Sequence, residues 1–147
     1  MSEYGVDLRV IGPENLLIDL RNIAEKESLM VRFNKIRDGR IYHDVDQVIR
    51  CLVIPLAQWE RPGVHAGDDR ETILLEQRQQ LSNASRLLKI FTSSLLRLGG
   101  SEITKSLYCS TIRYEDQGGF EIPLDIVRIC AQCGLFVEIS IAVGIDY

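Results

Sequence analysis

The chain has 147 residues, 46% hydrophobic and 26% charged, with a formal net charge of −4. That length suits a single domain spanning residues 1–147, able to bury roughly 70% of its unfolded surface without metal or disulfide support. The acidic balance, with no Lys/Arg block and no strongly basic helix, argues against nucleic-acid binding. No apolar run approaches the roughly 20 residues needed to span a bilayer.

The opening "MSEYGVDLRVIG" has no basic segment ahead of an apolar core and does not read as a secretory signal. It alternates instead: Val6, Leu8 and Val10 against Asp7 and Arg9, the pattern of a half-buried strand. Gly12 and Pro13 end that strand, and Pro13 suits a first helical turn. "PENLLIDLRNIAEKE" then predicts a helix with Leu16, Leu17, Leu20, Ile23 and Ala24 on one face. Glu14 and Lys26 complement its dipole. "SLMVRFNKI" returns to alternation, and "RDGR" signals a hairpin turn. The next strand is clearest from Gln47 to Pro55.

Gln58 to Glu71 has the composition of an irregular loop, with Pro62, two glycines and the only Trp. Asp68 with Glu71 resembles a capping box for a helix starting there. From about Arg70 to Leu98 the chain lacks Gly and Pro, and Leu74, Leu81, Leu88 and Leu95 recur every seven residues. The expectation is a helix of roughly 40 Å lying across a sheet, stopped by Gly99 and Gly100. A strand around Ile103–Thr111, a "QGG" turn and a short helix through "IPLDIVRICAQC" come next. Gly134 ends that helix, and "LFVEISIAVG" closes the chain as a strand. Apolar residues on both of its sides place that strand inside the sheet. The order β-α-β-β-α-β-α-β implies an α+β fold: a single-layer mixed β-sheet covered by helices, ferredoxin-like or a duplicated β-α-β.

Four cysteines, Cys51, Cys109, Cys130 and Cys133, lack the spacing of a secreted disulfide scaffold. Reduced thiols in the cytoplasm are expected. Cys130 and Cys133 form a C-x-x-C pair, but in the last turn of a helix, where the dipole opposes a thiolate. No second such pair completes a zinc site. Neither a metal, a cofactor nor a catalytic residue is therefore assigned. His43, Asp44 and Asp46 read as a solvated strand end rather than as metal ligands. No G-x-S-x-G or phosphate-cradling glycine loop is present. The loop carrying Trp59, Glu60, His65, Asp68, Asp69 and Glu71 is the better candidate contact surface, because loops carry function and Trp anchors interfaces. The segment around Asp44 and Asp46 is a second candidate patch.

"YGVDLRVIG" with its leucine-rich helix, and "FEIPLDIVRICAQCGLFVEISIAV", together resemble a family of small bacterial domains of unknown function. That family includes immunity proteins of contact-dependent and polymorphic toxin systems. Its closing motif is matched by Pro123, Leu124, Ile126, Val127, Ile129 and Gly134, then the strand to Val143, and Trp59 matches a mid-chain Trp. The long Arg- and Gln-rich central helix departs from the pattern. The resemblance implies a non-enzymatic cytoplasmic protein that binds one cognate toxin and occludes its active site. Its acidity suits a basic nuclease. The alternatives are a small enzyme and a ligand-binding regulatory module.

Overall fold

The computed structural model describes residues 2–36, 48–61, 70–113 and 121–143. Eight elements occur in the expected order: β1 (Ser2–Pro13), α1 (Glu14–Lys26), β2 (Arg32–Lys35), β3 (Ile49–Arg61), α2 (Arg70–Arg97), β4 (Thr104–Arg113), α3 (Leu124–Cys133) and β5 (Phe136–Val143). The strands form one mixed sheet in the order β2-β3-β1-β4-β5. Only β4 and β5 are parallel neighbours. The first four strands and two helices thus have the split β-α-β arrangement of a ferredoxin-like fold. In the unit β1-α1-β2, β3 lies between the two strands, whereas β4-α3-β5 joins direct neighbours.

Alternation along β1 decides which face is covered. Tyr4, Val6, Leu8 and Val10 are buried under the helices, while Asp7, Arg9 and Ile11 line the opposite face. Across the sheet, Leu52, Ile54, Leu107 and Cys109 continue the same apolar layer. The helices pack side by side in the order α1-α2-α3. Leu81, Leu88 and Leu95, with Ala84 and Phe91, are buried against this layer, so the heptad stripe faces the sheet. The helix runs unbroken through Ser82 and Asn83. At its C-terminal end the Lys105 ammonium donates to the carbonyls of Leu95 (3.0 Å) and Leu98 (2.8 Å). Leu95 O also accepts from Leu98 N–H (3.2 Å), and a cation at this terminus meets the negative end of the dipole.

The final strand lies at the edge of the sheet, not inside it as its two-sided apolar pattern suggested. Pattern reports how many apolar side chains a strand carries, but not whether a neighbour covers them.

Helix ends are specified locally. The α3 terminus uses Gly134 in the left-handed conformation (φ 66°), with Leu135 N–H donating to Cys130 O at 2.9 Å. The α1 terminus makes the same 6→1 closure, Leu29 N–H to Ala24 O at 3.0 Å, but with Ser28 at φ 58°. An L-residue there carries a steric penalty that glycine avoids. Ser28→Gly should therefore stabilise the fold by about 0.5–1 kcal/mol, read as a higher urea midpoint at unchanged m-value.

Candidate functional site

Of the expected contact residues, Trp59, Glu60 and Glu71 fall within the described residues, on β3 and α2. Pairing between β1 and β3 shifts register at Val6/Asp7 and then resumes, setting Tyr4 opposite Trp59, Glu3 opposite Glu60 and Ser2 opposite Arg61. Gln58 to Arg61 is therefore strand rather than loop. The register shift accommodates Pro55 beyond Val53, the last β3 residue paired with β2. Lys105, at the start of β4, holds the far end of α2, so the first turn of α2 with Glu71 lies at the Trp59 end. Trp59, Glu60 and Glu71 are thus backbone neighbours of one end of the fold, joined there by Glu3.

His65, Asp68 and Asp69 lie outside the described residues, as do Asp44 and Asp46. The flanks of the Asp44/Asp46 segment, Ile36 and Val48, sit at the opposite end. There Ile36 N–H donates to Ile49 O (3.1 Å) and Glu14 N–H to Val48 O (2.8 Å). A strand the length of β3 spans roughly 40 Å, so the two candidate patches are anchored far apart.

The face of the sheet opposite the helices gathers a cluster that the sequence did not announce. β1–β4 register sets Asp7 opposite Tyr108, and the Arg9 guanidinium stacks 3.7 Å from the Tyr108 ring centroid. Arg9 also approaches Asp7 at 3.9 Å, and its Nε is buried with no hydrogen-bond partner. Burial raises the Asp7 carboxyl above its usual range, against the opposing pull of Arg9 and Arg32. Cys51, half-buried on the same face, is likewise pushed up by burial and held back by the same two arginines.

The other thiols are core groups. Cys109, Cys130 and Cys133 are buried and free. Burial, with the neighbouring Cys130 and Asp7, pushes Cys109 up to about 12. Burial and Cys133 push Cys130 up to about 11. The Cys133 thiol points at the Thr92 carbonyl of α2, 3.9 Å away. None of these is an activated nucleophile. Among the described residues no group of three or more His, Cys, Asp or Glu side chains is placed to hold a metal ion.

A groove of about 770 Å3 lies between α2 and the segment entering α3. Leu81, Ile122 and Pro123 supply its apolar lining, and Ser85 Oγ is buried beside it without a hydrogen-bond partner. Its rim is tied by a two-pronged Arg78–Glu121 pair (2.8 and 3.0 Å) and by Lys89–Asp125 at 3.6 Å. The Arg78 hydrogen bonds hold the Glu121 carboxyl below its usual range.

Compared with protein-family models, with curated proteins and with solved structures, the chain matches none. No helix among the described residues is long and apolar enough to cross a membrane.

Two titrations are expected from the raised groups. A thiol whose pKa is higher folded than unfolded stays protonated in the native state after the unfolded chain has released its proton. Stability should be complete below pH 8.5–9, roughly the ordinary thiol range, and fall as pH rises through 11–12; Cys109→Ala should flatten that fall in thermal melts. Asp7 is also raised, so its stabilising contribution is present below the ordinary carboxylate range and lost as the folded group ionises. Asp7→Asn should gain stability over wild type at pH 7, with the difference closing in acid.

Proposed function

We propose that the chain is a protein-binding module, most concretely a cytoplasmic immunity protein that binds a cognate bacterial toxin and covers its active site. The observation that carries this reading is the placement of Trp59, Glu60 and Glu71, with Glu3, at one end of the fold, Trp59 at a register position on the helix side of the sheet and Glu3 and Glu60 at positions on the other side. The segment joining Glu60 to Glu71 adds Asp68 and Asp69 in sequence. An aromatic residue among acids is the composition of an anchor in a surface that meets a basic partner. The acids steer encounter with a cationic nuclease, and the aromatic residue supplies desolvated contact once docked. Trp59 and Glu60 sit on a paired strand and Glu71 on a long helix, so docking costs little ordering entropy there. The sequence resemblance to immunity proteins supplies the toxin as partner.

A second reading, a ligand-binding regulatory module, draws on the α2/α3 groove, whose volume falls within the range of small-molecule sites. The two readings separate by which substitution matters. Produced together with a toxin encoded beside it, wild type should protect growth and copurify with that toxin. Trp59→Ala should weaken the complex by about 2 kcal/mol or more, roughly 30-fold. Glu60→Lys with Glu71→Lys should slow association about tenfold or more at low salt and much less at high salt. Unchanged affinity and stability in Trp59→Ala would remove the toxin assignment. Loss of function on blocking the groove with Ser82→Trp alone would favour the regulatory module.

A further inference from the structure

The outer edge of β5 is unlike the other margins of the fold. Among the described residues nothing pairs with it, and its eight residues include one charge, Glu138, with no Lys and no Pro. Edge strands are ordinarily protected by those residues, by bulges or by a covering segment. Here Val137, Ile139 and Ile141, on the helix-covered side of the sheet, are 40%, 51% and 52% exposed.

The neighbouring helix continues this surface. Asp125 of α3 pairs with Lys89 and so marks the side of α3 that faces α2. At 3.6 residues per turn Val127 lies about 160° around the helix from Asp125. The buried Ile126, Ile129 and Cys130 lie between them. Val127 (44% exposed) therefore looks out over the β5 edge, whereas Leu124 (60%) lies opposite the buried Ile126 and faces away from the sheet.

We propose that β5 is a self-association edge, through which two copies of this chain pair antiparallel about a two-fold axis to make one continuous ten-stranded sheet. Three features select a second copy as the occupant. Antiparallel two-fold pairing joins residues of the same face, so helix-side side chains meet helix-side side chains. Centred on Ile139, the register sets Val137 opposite Ile141, Glu138 opposite Ser140 and Phe136 opposite Ala142, so no like charges face each other. The second feature is spacing. A helix riding on the two strands it joins, with strands about 4.8 Å apart, would lie about 10 Å from its two-fold mate, the normal distance between packed helices. The Val127 flanks of the two α3 helices then meet over the paired strands. The third is exposed apolar surface: Phe136, Val137, Ile139 and Ile141 of β5 and Val127 of α3 are 67%, 40%, 51%, 52% and 44% exposed, a surface running along the strand edge that such pairing would withdraw from water. Ile141 shares the Trp59 end of the sheet but lies three strands from it, across β1 and β4, and the pairing uses none of Trp59, Glu60 or Glu71, so the inference stands apart from the proposed function.

Sedimentation equilibrium of the full chain tests it. Wild type should run at twice its 16.7 kDa mass. Ile139→Lys and Ile141→Lys should each halve the measured mass while keeping wild-type far-UV circular dichroism and cooperative unfolding. Leu16→Lys, at an equally exposed apolar position on α1, should remain dimeric. Should the lysine variants fail to fold, Ile139→Cys reads the same geometry. Residue 139 faces its own mate across the axis, so mild oxidation should give an interchain disulfide there but not in Gln132→Cys. A monomeric wild type, a dimer indifferent to both lysines, or equal cross-linking at 132 and 139 overturns the proposal.

Discussion

The architecture hangs on burying one stripe of a 28-residue helix. Leu81, Leu88 and Leu95, with Ala84 and Phe91, are all but removed from solvent against the β1-centred layer. Full burial of each large side chain is worth about 1.5–3 kcal/mol before chain entropy is counted. No isolated helix holds its shape on propensity alone as well as on such packing. A stripe of that length needs strands of matching length, and β1 and β3 supply them at 12 and 13 residues. Lys105 fixes the helix along the sheet by holding its last carbonyls. With one end of α2 fixed, its other end is carried beside Tyr4 and Trp59. The gathering of Glu3, Trp59, Glu60 and Glu71 is thus a geometric consequence of core packing, not a separately built feature.

Much of this was legible because burial on one face leaves a period in the chain. Val6, Leu8 and Val10 announced β1, the seven-residue leucine repeat announced α2, and Gly134 announced the end of α3. What stayed hidden depends on pairing between distant segments. The extension of β3 to Arg61 needs β1 beside it, and the local sequence "QWERPG" carries every sign of a turn. The Asp7–Arg9–Tyr108 cluster needs the β1–β4 register, which joins residues about a hundred positions apart. Asp7 and Arg9 on their own read as the solvated half of a strand. In the structure they are half-buried, because the neighbouring strands and the Tyr108 ring close over them.

The C-x-x-C pair shows the same division between spacing and setting. Its spacing is that of reactive dithiols and zinc half-sites. Its setting is the carbonyl end of α3, with Cys130 inside the shared core and Cys133 against the Thr92 carbonyl. Low polarity and the wrong end of a dipole both favour the neutral thiol. Cys133 lets α3 lie close to α2, and Cys130 packs toward Cys109 of β4 beneath the helix. Position relative to the helix axis settled that from sequence, since Gly134 located the helix end.

Strand β5 is where pattern and placement disagree, and the disagreement is informative. The run "FVEISIAV" has the two-sided apolar character of a strand flanked on both edges. Among the described residues only one of those edges is occupied, by β4. An ordinary edge strand shows selection against this state through lysine, proline or irregular geometry. None of those devices occurs in β5, whereas the other outer strand, β2, is four residues long and carries Arg32 and Lys35. The two margins of one sheet thus obey opposite rules: β2 is short and cationic, as suits a margin left in water. The composition of β5 suits a margin that is covered, and among candidate covers a second β5 satisfies the strand's hydrogen bonds, its apolar faces and its single charge together.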